Sequence, residues 1–318
     1  MTKHTPIPDP SGKNGSLLER ADQAFGLDGL GPANVPTNLP APKPRAKAPV
    51  VSQTASVSAE VKAAVAEAPV EPRVELNGPS VEIDRETLRY NGLIVPEDPV
   101  TGLLEEFRII KREILAGARR SRGGAKRRVL LSSPHEGEGK TFCAANLAIS
   151  LSTERDIEVV LVDADVMNPS ITQAFGIEEG PGFMDALADP TQNPEDLAIA
   201  TDIDGLFIMP AGNRSARDTE YLASSRTHEV LERLTRGAPN RIVIFDTPPA
   251  LGASPAAELA AHVGQALLVV RADETSRAAI DDAQQLLSAC PDLKLLLNAA
   301  KFSPSGRRFG NYRQGENP

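Results

Sequence analysis

Apolar residues in the second half of the chain fall into short, often β-branched runs separated by amphipathic stretches. The runs are Val129–Leu131, Val159–Val162, Leu206–Met209, Ile242–Phe245, Leu267–Val270 and Leu293–Leu297. Helical patterns lie between them, over Thr141–Ser152, Met184–Leu187, Thr219–Arg236, Ala256–His262 and Arg277–Ala289. Strands that are apolar throughout are covered on both faces, so this alternation predicts an α/β fold with a mostly parallel sheet flanked by helices. Upstream, Leu103, Leu104, Phe107, Ile110 and Ile114 recur at helical spacing and predict a helix over Glu105–Leu115. Glu105 meets Arg108 three residues on, whereas Glu106 faces Ile109 and Ile110 at those offsets and finds no cation. A second amphipathic segment, Ser16–Phe25, carries Ser16 and Glu19 as a capping box. Isolated, it is marginal, and it reads equally as a docking segment or as a transient helix.

Composition divides the chain. Pro32–Pro79 is rich in Pro, Ala, Val, Ser and charge, with no aromatic residue and no apolar period. Such a stretch cannot offset the ordering cost of roughly 1–2 kcal/mol per residue. The expected organisation is a disordered arm over residues 1–80, a helical lead-in over 81–125, a nucleotide-binding domain over 126–300 and a flexible basic tail over 301–318. The formal net charge of −9 makes nucleic acid an unexpected partner. One basic run opposes it: Arg119, Arg120, Arg122, Lys126, Arg127 and Arg128. It reads as a solvated linker, or as a contact with an anionic membrane surface or a neighbouring subunit's acidic face. Cys143 and Cys290, the only cysteines, suit a reducing compartment and offer no disulfide framework. No apolar run approaches the ~20 residues of a membrane span, and no signal-peptide core opens the chain. The expectation is a cytoplasmic protein whose membrane association comes through a partner.

The chemistry concentrates where strands end. Val129–Leu131 runs into Ser132-Ser133-Pro134-His135-Glu136-Gly137-Glu138-Gly139-Lys140-Thr141, and a helical pattern follows. A strand, a glycine-bearing turn closing on Gly-Lys-Thr and a helix together form a phosphate cradle. Backbone N–H groups point inward, the lysine reaches the outer phosphates and the threonine hydroxyl ligates Mg²⁺. The match to G-x-x-x-x-G-K-[ST] is imperfect, because Pro134 stands where the first glycine belongs. Two further runs end in Asp163-Ala164-Asp165 and Asp246-Thr247-Pro248-Pro249. Ligands of open α/β sheets bind outside the carboxyl ends of strands, so these aspartates converge on a Mg-nucleotide site. Taken singly, each aspartate reads as a helix cap or turn residue.

Together, Gly137-Glu138-Gly139-Lys140-Thr141, Asp163-Ala164-Asp165 and Phe245-Asp246-Thr247-Pro248-Pro249 resemble the bacterial tyrosine kinases of polysaccharide export. That family belongs to the deviant P-loop ATPases, alongside the partitioning and division-site proteins. The likeness runs from about Glu105 onward. Thr219–Ser225 resembles the family's "ELL-S" segment, and Leu295–Asn298 resembles the strand whose Asn contacts adenine. Glu105-Glu106-Phe107-Arg108-Ile109-Ile110-Lys111 resembles the E-x-x-R-x-x-R helix that assembles members into rings. With its Ser133–Lys140 loop, the chain looks nearest to the subgroup in exopolysaccharide loci linked to exosortase. The resemblance implies a P-loop NTPase fold, ATP and Mg²⁺ as cofactors, and ATP-dependent tyrosine autophosphorylation. It places Gly137, Glu138, Gly139, Lys140, Thr141 and Phe142 around the phosphates and Asn298 at the base. Thr141, Asp165 and Asp246 would hold the metal, Asp163 would activate the tyrosine hydroxyl, and Glu105, Arg108 and Lys111 would build the ring. A membrane chain-length determinant, acting as polysaccharide co-polymerase, is the implied partner.

Four departures shape that reading. Glu136 stands where members usually have Pro, and His135 where the partitioning branch carries its signature lysine. Lys111 replaces an arginine and loses its bidentate fork, and Val166–Pro169 replaces a more basic segment. Of the three tyrosines, Tyr90, Tyr221 and Tyr312, only Tyr312 lies in the tail, where it is the expected phosphoacceptor. The alternatives are an ATP-switched assembly module of the same export machinery and, less favoured, a partitioning-type ATPase.

Overall fold

The computed structural model describes residues 72–120 and 123–300. The expected helix at Ser16–Phe25 and the tail with Tyr312 lie outside the described residues. One eight-stranded sheet organises the rest. Its strands are β1 Ser80–Val81, β2 Arg128–Ser132, β3 Glu158–Asp163, β4 Ile199–Thr201, β5 Leu206–Met209, β6 Arg241–Asp246, β7 Gln265–Arg271 and β8 Leu293–Asn298. The spatial order is β1-β4-β5-β3-β6-β2-β7-β8, and every pairing is parallel except β4 with β5. The six apolar runs are β2, β3, β5, β6, β7 and β8. The sequence pattern missed β1 and β4, whose two and three residues are too short to show a period.

Among the described residues, the helices of ten or more residues are α1 Gly102–Arg119, α2 Lys140–Ser152, α3 Ser225–Thr235 and α4 Arg277–Leu286. Helix α1 outruns its expected bounds because the Thr101 hydroxyl accepts the Leu104 N–H at 3.2 Å and caps its start. The helix expected over Thr219–Arg236 is two, Asp218–Leu222 and α3. At the break Ser224 is extended, and the Ser224 and Thr227 hydroxyls donate to the Tyr221 carbonyl. Short helices at Arg85–Tyr90, Ile171–Phe175 and Pro194–Leu197 had no sequence period to announce them.

Ordered chain begins before the expected end of the linker. Leu76 packs on the core, and the Asn77 N–H donates to the Glu195 carbonyl at 2.9 Å. Gly78 passes so close to Ala198 that a Cβ there would lie 2.1 Å from its carbonyl oxygen. The lead-in likewise shares its core with the sheet. Ile83, Leu88, Phe107 and Ile114 bury against one face, in a cluster with Val129, Leu131 and Ile149 of β2 and α2. The other face is filled by Phe183, Leu231, Phe245 and Leu259, among others.

Register then levels the functional positions. Asp163 of β3 lies opposite Asp246 of β6, Leu131 of β2 opposite Asp246, and Arg271 of β7 opposite Asn298 of β8. The carboxyl ends of five adjacent strands therefore meet at one edge.

Candidate active site

The loop between β2 and α2 is held by its neighbours as much as by its glycines. Gly137 and Gly139 sit at φ +75° and +89°, the left-handed region that disfavours any other residue. Between them Glu138 is buried, its carboxylate accepting the His135 N–H at 2.9 Å and the Thr275 hydroxyl. Asn298 donates to the Glu138 carbonyl at 2.8 Å, and Arg271 donates to the Gly137 carbonyl at 3.1 Å. Pro134 interrupts the motif without disturbing the turn. That half of the loop is pinned behind β6, where Ala250 and Leu251 N–H groups donate to the Ser133 and Pro134 carbonyls at 2.7 and 3.3 Å.

Lys140 opens α2, and its ammonium lies 2.7 Å from the Asp165 carboxylate. Burial works against that charge, but Asp246, Asp165 and Asp163 together hold the ammonium above its ordinary value. The Thr141 hydroxyl donates to Asp246 Oδ2 at 2.6 Å and accepts from Ser170 at 3.3 Å. Asp246 Oδ1 is buried with no hydrogen-bond partner. Burial pushes the Asp246 carboxyl up to about 7, against the pull of Lys140 and Thr141. Asp163 is also buried and is pushed up to about 6, although both its oxygens accept backbone N–H groups: Asp165 at 3.1 Å, and Ser170 and Ile171 at 2.9 Å.

These donors fit a Mg-nucleotide. A buried carboxylate oxygen without a partner costs about 1–3 kcal/mol, and a hard cation beside the Thr141 hydroxyl would relieve it. Among the described residues no group of three His, Cys, Asp or Glu could itself cage a metal. Mg²⁺ needs no such cage, because it keeps waters and takes phosphate oxygens as ligands. Beside the loop, between α1 and β8, an apolar slot of about 220 Å³ has Phe107, Phe142, Cys143, Leu296 and Asn298 among its walls.

Other expected site residues separate. Arg108 pairs with Glu105 on the α1 surface, and Glu106 lines the apolar slot. Lys111 instead turns inward. It is 6% exposed, donates to the Ser150 carbonyl at 3.1 Å and pairs with Glu154 at 2.7 Å, closing the C-terminal end of α2. Its charge is satisfied within the chain, whereas Glu105 and Arg108 of the expected ring triplet stay at the surface. Tyr90 is 92% exposed at a helix end, whereas Tyr221 packs partly against the core. Sequence reasoning missed Ser170, Arg271 and Thr275. Arg271 closes the apolar strand β7 and Thr275 lies in the loop after it, at the same edge as the aspartates.

Residues 124–295 match the family model described as ParA, NUBPL iron-transfer P-loop NTPase. Tyrosine-protein kinase YwqD of Bacillus subtilis is 27% identical over 237 residues, covering 74% of this chain and 96% of that protein. EpsB of Ralstonia solanacearum, provisionally named a tyrosine-protein kinase, is 30% identical over 227 residues, covering 69% of this chain. The match spans only 29% of the EpsB length. The crystal structure of the VpsO kinase domain is 30% identical with a TM-score of 0.53, over 61% of this chain and 93% of that domain. The kinase domain of the Escherichia coli tyrosine kinase ETK, at 20% identity and a TM-score of 0.55, covers 73% of this chain and 93% of that domain and shares the fold. Among the described residues no helix is long and apolar enough to cross a membrane.

Proposed function

The chain belongs to the bacterial tyrosine-kinase family of P-loop NTPases, and from that premise we propose that it is an ATP-dependent protein-tyrosine autokinase regulating exopolysaccharide polymerisation and export. The observation that carries the reading is the convergence of Lys140, Thr141, Asp165 and Asp246 on one loop, with Asp246 Oδ1 left without a partner. Lys140 would release Asp165 and neutralise the β- and γ-phosphates, and the backbone N–H groups from Gly137 to Thr141 would cradle them. Thr141, Asp165 and Asp246 would hold Mg²⁺, which supplies charge neutralisation at the transferring phosphoryl group. The apolar slot lined by Phe142 and Asn298 suits the adenine ring.

A protein acceptor needs a base for its hydroxyl. Asp163, whose carboxyl burial pushes up to about 6, is in the range where it can take a proton near neutral pH. To do so it must loosen one of its backbone hydrogen bonds, since all three N–H groups occupy its two oxygens. Tyr312 would be the acceptor. The partner would be a membrane chain-length protein, and assembly a ring in which Glu105 and Arg108 face a neighbour. That arrangement would keep the chain cytoplasmic and peripheral to the inner membrane.

The test is incubation of purified protein with Mg-ATP, alone and with the partner's cytoplasmic segment, followed by phosphotyrosine mapping. Phosphate on Tyr312, lost in Lys140→Met, is expected. ATP hydrolysis with no phosphotyrosine would overturn the kinase assignment. It would leave the second reading, an ATP-switched assembly module, which the engaged oxygens of Asp163 favour.

A further inference from the structure

At the amino-terminal edge of the sheet, across from the nucleotide loop, two hollows of opposite charge adjoin. The first, about 700 Å³, has Leu115, Ile157 and Ile242 among its walls and three guanidinium groups, from Arg119, Arg127 and Arg155. None of the three arginines forms an ion pair among the described residues. Arg127 is 8% exposed; its Nη2 donates to the Thr235 carbonyl at 2.9 Å, and its Nε–H finds no acceptor. The second hollow, about 550 Å³, shares Arg155, Asp156 and Ile157 with the first and adds Glu97, Glu154, Asp202 and Asp204. Arg85 engages Glu97 and Asp202, and Lys111 engages Glu154. Asp156 and Asp204 are left without an ion pair among the described residues.

We propose that these two hollows receive the phosphorylated form of the chain's own segment Arg307–Arg313. The inference rests on the autokinase reading and extends it to what becomes of the product. Phosphotyrosine is a dianion on an aromatic ring. Its oxygens match guanidinium forks, and its ring matches the walls formed by Leu115, Ile157 and Ile242. Its neighbours Arg307, Arg308 and Arg313 would meet Asp156 and Asp204 next door. Without phosphate the segment is wholly basic and offers the arginines nothing to bind; phosphorylation adds about −1.5 to −2 charges at Tyr312 itself and gives them an anion, while the flanking arginines stay cationic. Reach permits the contact within one molecule. The dozen residues from Ala300 to Tyr312 extend to roughly 40 Å, against roughly 20 Å for a strand such as β3. An anionic membrane fits this edge poorly, because the acidic hollow lies beside the basic one.

The experiment uses a labelled synthetic peptide of residues 301–318, with and without phosphate on Tyr312, titrated into the full chain carrying Tyr312→Phe and read by fluorescence anisotropy. The phosphopeptide is expected to bind about 10-fold or more tighter than the unmodified one, and saturating Mg-ADP should leave that unchanged. Arg119→Glu with Arg155→Glu, both exposed positions, should abolish the difference while circular dichroism and melting stay normal. Equal affinities, displacement by Mg-ADP, or indifference to the two substitutions would overturn the proposal. So would phosphatidylglycerol vesicles whose binding depends on these arginines while the phosphopeptide's does not. Because the peptide is synthetic, it reports on the hollows even if the chain never phosphorylates itself. A failed phosphotyrosine map with tight phosphopeptide binding would sink the autokinase reading alone.

Discussion

Asp246 combines full burial, one hydrogen bond and one unpartnered oxygen, and this makes the site sensitive to pH when no nucleotide is added. Its folded carboxyl titrates near 7, well above its ordinary value of 3.8, chiefly because it is buried. The folded protein therefore keeps a proton that the unfolded chain has released. The group's stabilising contribution is full at low pH and is lost as pH rises through about 7. In EDTA without nucleotide, the melting temperature should fall more between pH 6 and pH 8 for the native chain than for Asp246→Asn. A difference of about 2–4 °C would correspond to about 1 kcal/mol in a domain of this size. Saturating Mg-nucleotide should erase it. Cys143 makes a second prediction at this scale. Burial pushes its thiol up to about 12, and Cys290 is likewise buried and raised. A disulfide-exchange reagent at pH 8 should titrate neither thiol in the folded protein, and both of the chain's two cysteines in guanidinium.

At the scale of elements, α1 does two jobs with residues three apart. Arg108 makes an exposed pair with Glu105, while Lys111 is buried against the last turn of α2. Lys111→Met should cost about 1–3 kcal/mol by urea denaturation, since the Ser150 carbonyl and Glu154 lose their partner. Arg108→Ala should cost under about 0.5 kcal/mol and, if α1 lines a ring, should lower the mass measured by light scattering. This contrast also marks what sequence could tell. Six strands were legible because each carries a mainly apolar run, and the phosphate loop because Gly139-Lys140-Thr141 follows one of them. The burial of Lys111 was not legible, because a cation reads as surface. Yet Lys111 falls four residues after Phe107 and three before Ile114, in phase with the buried stripe. The hydrogen bonds from Arg271, Thr275 and Ser170 were invisible for another reason: long-range register decides them, and register is a property of the assembled sheet.

Across the whole molecule, the nucleotide loop and the arginine hollow occupy opposite ends of the same strands, each near one end of β3. Ligand at the loop should raise stability by mass action, by about 2.7 kcal/mol at 100 times Kd. A thermal scan with Mg-ATP should show that rise in the native chain and its absence in Lys140→Met. Asn298 adds a constraint on the order in which the parts come together. A Cβ at Gly139 would lie 2.1 Å from the Asn298 amide, so the turn is fitted against the end of β8. That partner is 160 residues downstream of Glu138, whose carbonyl it holds. During synthesis the loop leaves the ribosome long before its buttress exists, and helix α2 can form before the turn ahead of it is set. A nascent chain should therefore hold nucleotide poorly until β8 docks, and a chain ending before Leu293 should bind Mg-ATP more weakly than the full chain in a fluorescent-nucleotide titration.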